Sequence, residues 1–389
     1  MKVSKRAAPV ALPALTSLRF FAALAIVIHH CNGVFWPAAD LGPLDAGVSF
    51  FFVLSGFILT HVYFDVNGRF ASYNASQTAS YYFYTARIAR IWPLHLVCLF
   101  LTIIFINVPE RFDPAVLLAN AVMLHAWIPF DRYFFSYNYA SWSISTELFF
   151  YLMLPLLLRI STWQRCAMLL FSLAIVLALA LLSAAEHLPV WDTSGNQLSS
   201  TGLLYTNPLA RFAEFLSGVI CGVWWVKKTG GRSSSRSVGT VVECAAMVAF
   251  VLAFRFFLRG GATLSSSAWM LDASTRSLLS EWLSHVGLTP FAAVLIVVFA
   301  GHKGLLSQAL SQRGWVFLGE ISFALYLVHQ ISLRWLQQHG AQFTLPGFGL
   351  FIVGIIVLAT ILHLVIEKPA RAWLMRRYNR DVVHPAMRQ

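Results

Sequence analysis

Residues 15–33 read LTSLRFFAALAIVIHHCNG. A run of this length and apolarity is what a single bilayer crossing needs, about 20 residues. It nevertheless carries Arg19 near its start and His29 and His30 near its end. An ionisable group at mid-bilayer costs roughly 3 kcal/mol or more unless it is paired or hydrated, so each one needs an explanation. Arg19 and His30 are eleven residues apart. At about 100° per residue they fall within about 20° of each other, three turns and about 16 Å apart on one helix face. His29 is turned about 80° away from Arg19, which makes His30 the better partner for a shared site. A histidine so placed takes a proton from a hydroxyl or carries an acyl group itself. The plain alternative is two polar residues satisfied by neighbouring helices.

The rest of the chain repeats the pattern. Of 389 residues 58% are hydrophobic and only 11% charged, far below the charge content of soluble domains. Apolar stretches at 15–33, 46–63, 88–107, 146–160, 165–184, 209–226, 238–258, 286–301, 315–337 and 348–366 predict about ten transmembrane helices in an all-α, polytopic membrane protein. The shorter run 115–128 is predicted as a re-entrant or interfacial helix. The N-terminus resembles a signal peptide, but Arg19, His29 and His30 in its apolar run argue against cleavage.

The net charge of +12 fits topology better than nucleic acid, because the cations lie between apolar runs. With the N-terminus in the cytoplasm, the inner side holds Lys2, Lys5, Arg6, Arg69, Arg87, Arg90, Arg159, Arg165, Lys227, Lys228, Arg232, Arg236, Lys303, Arg313, Lys368, Arg371, Arg376, Arg377, Arg380 and Arg388. The outer side holds only Arg111, Arg132, Arg259 and Arg276. This bias places both termini in the cytoplasm. It divides the chain into an N-terminal segment 1–14, a membrane domain 15–370 and a basic tail 371–389, with Gly230–Arg236 as a flexible linker. Cys31, Cys98, Cys166, Cys221 and Cys244 lie in or beside apolar runs without ligand spacing and read as packing residues, with no metal expected.

Several further clusters carry chemistry. Ser55-Gly56, within GVSFFFVLSGF (47–57), suits close helix packing. Arg87 and Arg90 are i,i+3 neighbours near the inner mouth of a span, two guanidinium forks suited to phosphate, with Trp92 near enough to stack a ring; simple anchoring is the alternative. In SWSISTE (141–147), Glu147 is expected near the outer interface, where it pairs with His30 or binds sugar hydroxyls, while Ser143 and Ser145 suit a helix start. Arg211 and Glu214 form an i,i+3 pair. Arg255 and Arg334 snorkel or line a cavity. Tyr326 and His329 share a face, and the last span closes with His363 and Glu367-Lys368-Pro369.

Taken together, LTSLR (15–19) with His30, GVSFFFVLSGF, Arg87-x-x-Arg90, WSIS-x-E, EISFALYLVH (320–329) and EKP (367–369) resemble the acyltransferase-3 family of bacterial membrane acyltransferases over roughly residues 15–370. The resemblance implies O-acylation of a carbohydrate, most often with an acetyl group from cytoplasmic acetyl-CoA, on an acceptor at the far side. It implies Arg19 and His30 as essential, Arg87 and Arg90 as engaging the acyl-CoA donor, and Trp142, Ser143 and Glu147 near the acceptor side. Joined to the reading of the residues, this gives Arg19, His30 and Glu147 as expected catalytic residues, Arg87, Arg90 and Trp92 as expected acyl-CoA-binding residues, and Trp142, Ser143, Tyr326 and His329 as the expected acceptor side and cavity. Acetyl-CoA is expected as donor substrate, with no permanently bound cofactor. The expected partners are a glycan or lipid-linked glycan, the lipid bilayer and possible glycan-assembly proteins; the expected location is the bacterial inner membrane. Ser49 stands where many members have aspartate, and Phe323 where many have tyrosine. Some relatives append an extracytoplasmic hydrolase-like domain; this chain is expected to act alone or with a separate partner. A transporter or flippase for a polar lipid, a structural partner in a glycan-assembly complex, and an enzyme using succinyl or another acyl group are the competing readings.

Overall fold

The computed structural model describes residues 10–39, 41–42, 44–64, 78–108, 113–192, 194–228, 235–267, 286–301, 303–341 and 343–378. Most of segment 1–14, the tail beyond 378, most of the Gly230–Arg236 linker, and Lys2, Lys5, Arg6, Arg69, Arg111, Arg232, Arg276, Arg380 and Arg388 of the charge pattern lie outside the described residues, as does the side chain of Arg259. The described residues form helices, with only two isolated β-bridges.

The principal helices in chain order are α1 (Pro13–Cys31), α2 (Gly47–Tyr63), α3 (Thr78–Phe105), α4 (Pro114–Ala121), α5 (Trp142–Arg159), α6 (Thr162–Ala185), α7 (Phe212–Lys228), α8 (Arg236–Ser267), α9 (Thr289–Ala300), α10 (Arg313–Gln338), α11 (Leu345–Leu362) and α12 (Lys368–Tyr378). Each of the ten predicted spans falls on a helix. Eight candidate spans among the described residues are long and apolar enough to cross a membrane. The predicted spans 209–226 and 286–301 fall on α7, with 17 residues, and α9, with 12. At 1.5 Å per residue α9 is about 18 Å long, short of a hydrocarbon core of about 30 Å. The run 115–128 does not cross: α4 has 8 residues, Met123 then takes a positive φ of 57°, and a 3-10 turn at His125–Trp127 follows.

Local chemistry fixes the ends. The Asp113 carboxylate accepts from the amides of Ala115 and Val116 at 2.9 and 3.2 Å, with Pro114 as the first helical residue of α4. Ser161 and Gln164 close a reciprocal capping box at the start of α6. Arg165 then reaches back, its Nε donating to the Leu157 carbonyl at 2.7 Å, and satisfies an orphan group at the end of α5. Its positive charge therefore holds a helix–helix corner as well as fitting the topology bias.

Two close helix contacts set the frame of the site. A Cβ added to Gly56 of α2 would overlap the Phe215 carbonyl of α7, and one added to Gly218 would overlap the Val53 carbonyl. The predicted packing role of Gly56 is thus met by a glycine on the partner helix. On the other side α1 and α10 run in the same direction: a Cβ on Gly319 would overlap the Thr16 carbonyl, and further along His30 meets His329. Gly218→Val should lower stability by about 3 kcal/mol, since the backbones cannot separate without unpacking the surrounding side chains. A loss of folded protein during thermal melting in detergent checks this, and an unchanged melt refutes it.

Candidate active site

A cavity of about 110 Å³ opens between α1, α2, α3, α5 and α10. Arg19 of α1, Arg87 and Arg90 of α3, Glu147 and Tyr151 of α5, Ser55 of α2 and Tyr326 of α10 line it, with Ser143 and an apolar wall that includes Phe51, Phe52 and Phe323. Two helices far apart in sequence, α1 with Arg19 and α3 with Arg87 and Arg90, therefore bring three guanidinium groups to one space. One carboxylate faces them, so the wall carries an excess of positive charge suited to an anion. Arg87 leans over the Tyr63 ring at 5.8 Å, and its buried Nε has no hydrogen-bond partner.

Glu147 departs from its expected place. It does not meet His30 at an outer interface; it sits in the arginine cavity. Its Oε1 accepts from Tyr151 Oη at 2.6 Å and from Ser55 Oγ at 3.1 Å. Two hydroxyls thus fix the carboxylate, with the charge directed at the cationic wall. Trp92 departs as well. It is 40% exposed, does not line the cavity, and donates its indole N–H to the Ala121 carbonyl at 2.8 Å, tying α3 to the end of α4.

His30 is not among the lining residues of this cavity. The link runs through α10. Tyr326 lines the cavity, its ring lies 5.7 Å from that of His329, and the His329 ring lies 5.1 Å from that of His30. The two imidazoles are hydrogen-bonded, His329 Nε2 to His30 Nδ1, at 3.1 Å. Tyr326 is 7% exposed; its hydroxyl donates to the Ala140 carbonyl and receives Ser143 Oγ, both at 2.9 Å. Ser143 accordingly serves this contact and not a helix cap. Ser145 instead accepts from the Ala126 amide at 3.3 Å, pinning the non-crossing segment.

On the far side of His30 the surface opens. The His29 side chain is 41% exposed and stands 4.0 Å from Asp45, and Tyr205 donates to the other oxygen of Asp45 at 3.0 Å. Trp142, only 4% exposed, packs against Tyr205 at 4.9 Å and does not reach the arginine cavity. It closes a buried polar cluster. Arg211 pairs with Glu214 at 3.1 Å and donates to Ser49 at 2.9 Å, its guanidinium enclosed by the rings of Phe52, Trp142 and Tyr205. The predicted Arg211–Glu214 pair is present, and Ser49 belongs to it. Arg334 donates to the Tyr137 carbonyl at 2.6 Å, whereas Arg255 is exposed. His363 and Glu367 pair at 2.8 Å in a π-helical turn that joins α11 to α12.

Ser55 and Tyr151 are the site residues that sequence reading left out. Tyr151 stands one turn after Glu147, an i,i+4 spacing that places both on one face and was available as a signal. Among the described residues no group of three His, Cys, Asp or Glu side chains gathers to hold a metal ion. Cys31, Cys98, Cys166, Cys221 and Cys244 are all free thiols.

The family described as the acyltransferase domain matches residues 12–365. The acyltransferase MdmB of Streptomyces mycarofaciens is 26% identical over 95% of this chain and 94% of its own length. The O-acetyltransferase OatA of Staphylococcus aureus is 24% identical over 95% of this chain and 59% of its own. YrhL of Bacillus subtilis (strain 168), whose name assigns it provisionally to peptidoglycan O-acetylation, is 26% identical over 95% of this chain and 56% of its own. The chain thus spans nearly all of the first relative and somewhat over half of the other two. No solved structure matches.

Proposed function

The chain belongs to the acyltransferase-3 family, and from that premise we propose that it moves an acetyl group from cytoplasmic acetyl-CoA to a hydroxyl of a cell-surface or exported glycan, within the bacterial inner membrane. The observation that carries this reading is the cavity that gathers Arg19, Arg87 and Arg90 at one end and reaches Tyr326, next to the His329–His30 pair, at the other. The cationic end suits the phosphates of a coenzyme A donor, and the excess of basic residues on the predicted inner side turns that end toward the cytoplasm. The donor's thioester passes Tyr326 to reach His30. The acceptor comes from the side of His29, Asp45 and Tyr205.

In this reading His30 removes the proton of the acceptor hydroxyl as its oxygen attacks the thioester carbonyl carbon. The carbon–oxygen bond forms, the carbon–sulfur bond breaks, and the coenzyme A thiolate takes up the proton from the imidazolium. Glu147, held by Ser55 and Tyr151, positions the arginine wall. Mass spectrometry of surface polysaccharides from cells with and without the protein tests the reading. Acetyl esters lost with the protein are the expected result. An unchanged acetyl content refutes it, and loss of succinyl in place of acetyl reassigns the donor.

A further inference from the structure

The hydrogen bonds around His329 fix which nitrogen of His30 carries the proton. His329 Nδ1 lies 2.5 Å from the Tyr326 carbonyl oxygen. A carbonyl only accepts, so Nδ1 of His329 carries a hydrogen. The neutral ring then presents Nε2 as an acceptor, and the group facing Nε2 is His30 Nδ1 at 3.1 Å. His30 Nδ1 must donate, which leaves His30 Nε2 with its lone pair.

We propose that His329 is a positioning residue that holds His30 in the Nδ1–H tautomer, so that Nε2 is the atom that takes the acceptor's proton. The assignment rests on His30 being the base of the proposed transfer. His329 has no net charge in this arrangement, so it does the orienting that a carboxylate does in other hydrolases and transferases without placing a second ionised group in the bilayer. Among the described residues, the other charged or titratable groups near the pair are His29, whose ring stands edge-on to His30 at 5.3 Å, Asp45, 4.0 Å from His29 and hydrogen-bonded by Tyr205, and the Tyr326 phenol, whose ring lies 5.7 Å from that of His329. Tyr326 belongs to the arrangement through its carbonyl, which anchors His329 from one turn back on the same helix. When His30 becomes cationic, its Nδ1–H bond to His329 shortens the way to a shared proton, which spreads the charge over two rings.

The test uses the full-length protein in lipid nanodiscs, with acetyl-CoA as donor and the unacetylated polysaccharide isolated from cells lacking the protein as acceptor. Nitrogen-15 spectra of histidine-labelled protein should show His30 as the Nδ1–H tautomer, and His329→Phe should abolish that signature. His329→Phe should lower kcat by on the order of a hundredfold with KM for acetyl-CoA unchanged, and move the acid limb of the pH–rate profile. His329→Gln, whose carbonyl accepts the same N–H, should recover most of the turnover. An Nε2–H tautomer at His30 in the unmodified protein overturns the proposal, as does a His329→Phe variant with an unchanged kcat and pH profile. An active His30→Ala variant also overturns it, by removing the base to be positioned, and is the one result that rejects the transfer mechanism as well.

Discussion

Replacing His30 with alanine should lower acetyl transfer by about a thousandfold, the usual contribution of a positioned general base. The side chain is only partly buried and its one hydrogen bond to another side chain is to His329, so its loss leaves a small hole beside α10 and the fold intact. Acetyl-CoA should bind the variant as well as it binds the parent, because the arginine cavity does not include this ring. Transfer measured by the release of coenzyme A thiol, alongside donor binding by calorimetry, separates the two effects. Full transfer by the variant removes His30 from the chemistry. A transient acetyl-imidazole, trapped by rapid quench and located on His30 by mass spectrometry, would replace base catalysis by covalent catalysis at the same atom.

The double substitution Arg87→Ala and Arg90→Ala should weaken acetyl-CoA binding by about 3 kcal/mol, roughly a hundredfold in Kd. Both guanidinium groups line the cavity, and the buried Nε of Arg87 has no partner of its own to satisfy. Under the proposed transfer, a phosphate of the donor would supply one. The single changes should cost less than half of the double, because either fork can take up part of the pyrophosphate charge when the other is gone. Unchanged affinity in the double variant rules out the phosphate role and returns these residues to membrane anchoring.

Spans were legible because a bilayer demands long apolar helices and tolerates little else. Even α9, too short to cross unaided, was visible as an apolar run. Depth was not legible. The apolar run of α3 begins near residue 88, but the helix begins at Thr78, so Arg87 and Arg90 lie well inside it. Helix bounds do not follow the apolar run, and the packing of α3 against α5 brings Glu147 into one cavity with the arginines. The misplacement of Trp92 was avoidable. Two residues beyond Arg90 at about 100° each turn it some 200° away, by the same arithmetic that relates Arg19 to His30. That arithmetic was sound for the helix face and silent about what fills the three turns between them, which is where α10 inserts Tyr326. Of the two hydroxyls that hold Glu147, that of Tyr151 follows from an i,i+4 spacing, whereas that of Ser55 needed the packing of α2 against α5, which no local pattern encodes.

The placement of Tyr326 has an electrical consequence. A pathway wet from both faces of an energised membrane would short-circuit it, since each elementary charge that leaks through dissipates about 2.3 kcal/mol per 100 mV. Tyr326 lies between the cationic chamber and the imidazole pair, with its hydroxyl committed to Ala140 and Ser143. A ring held there would insulate one compartment from the other, and under the proposed transfer the traffic it admits is a slender thioester arm, not a column of water and ions.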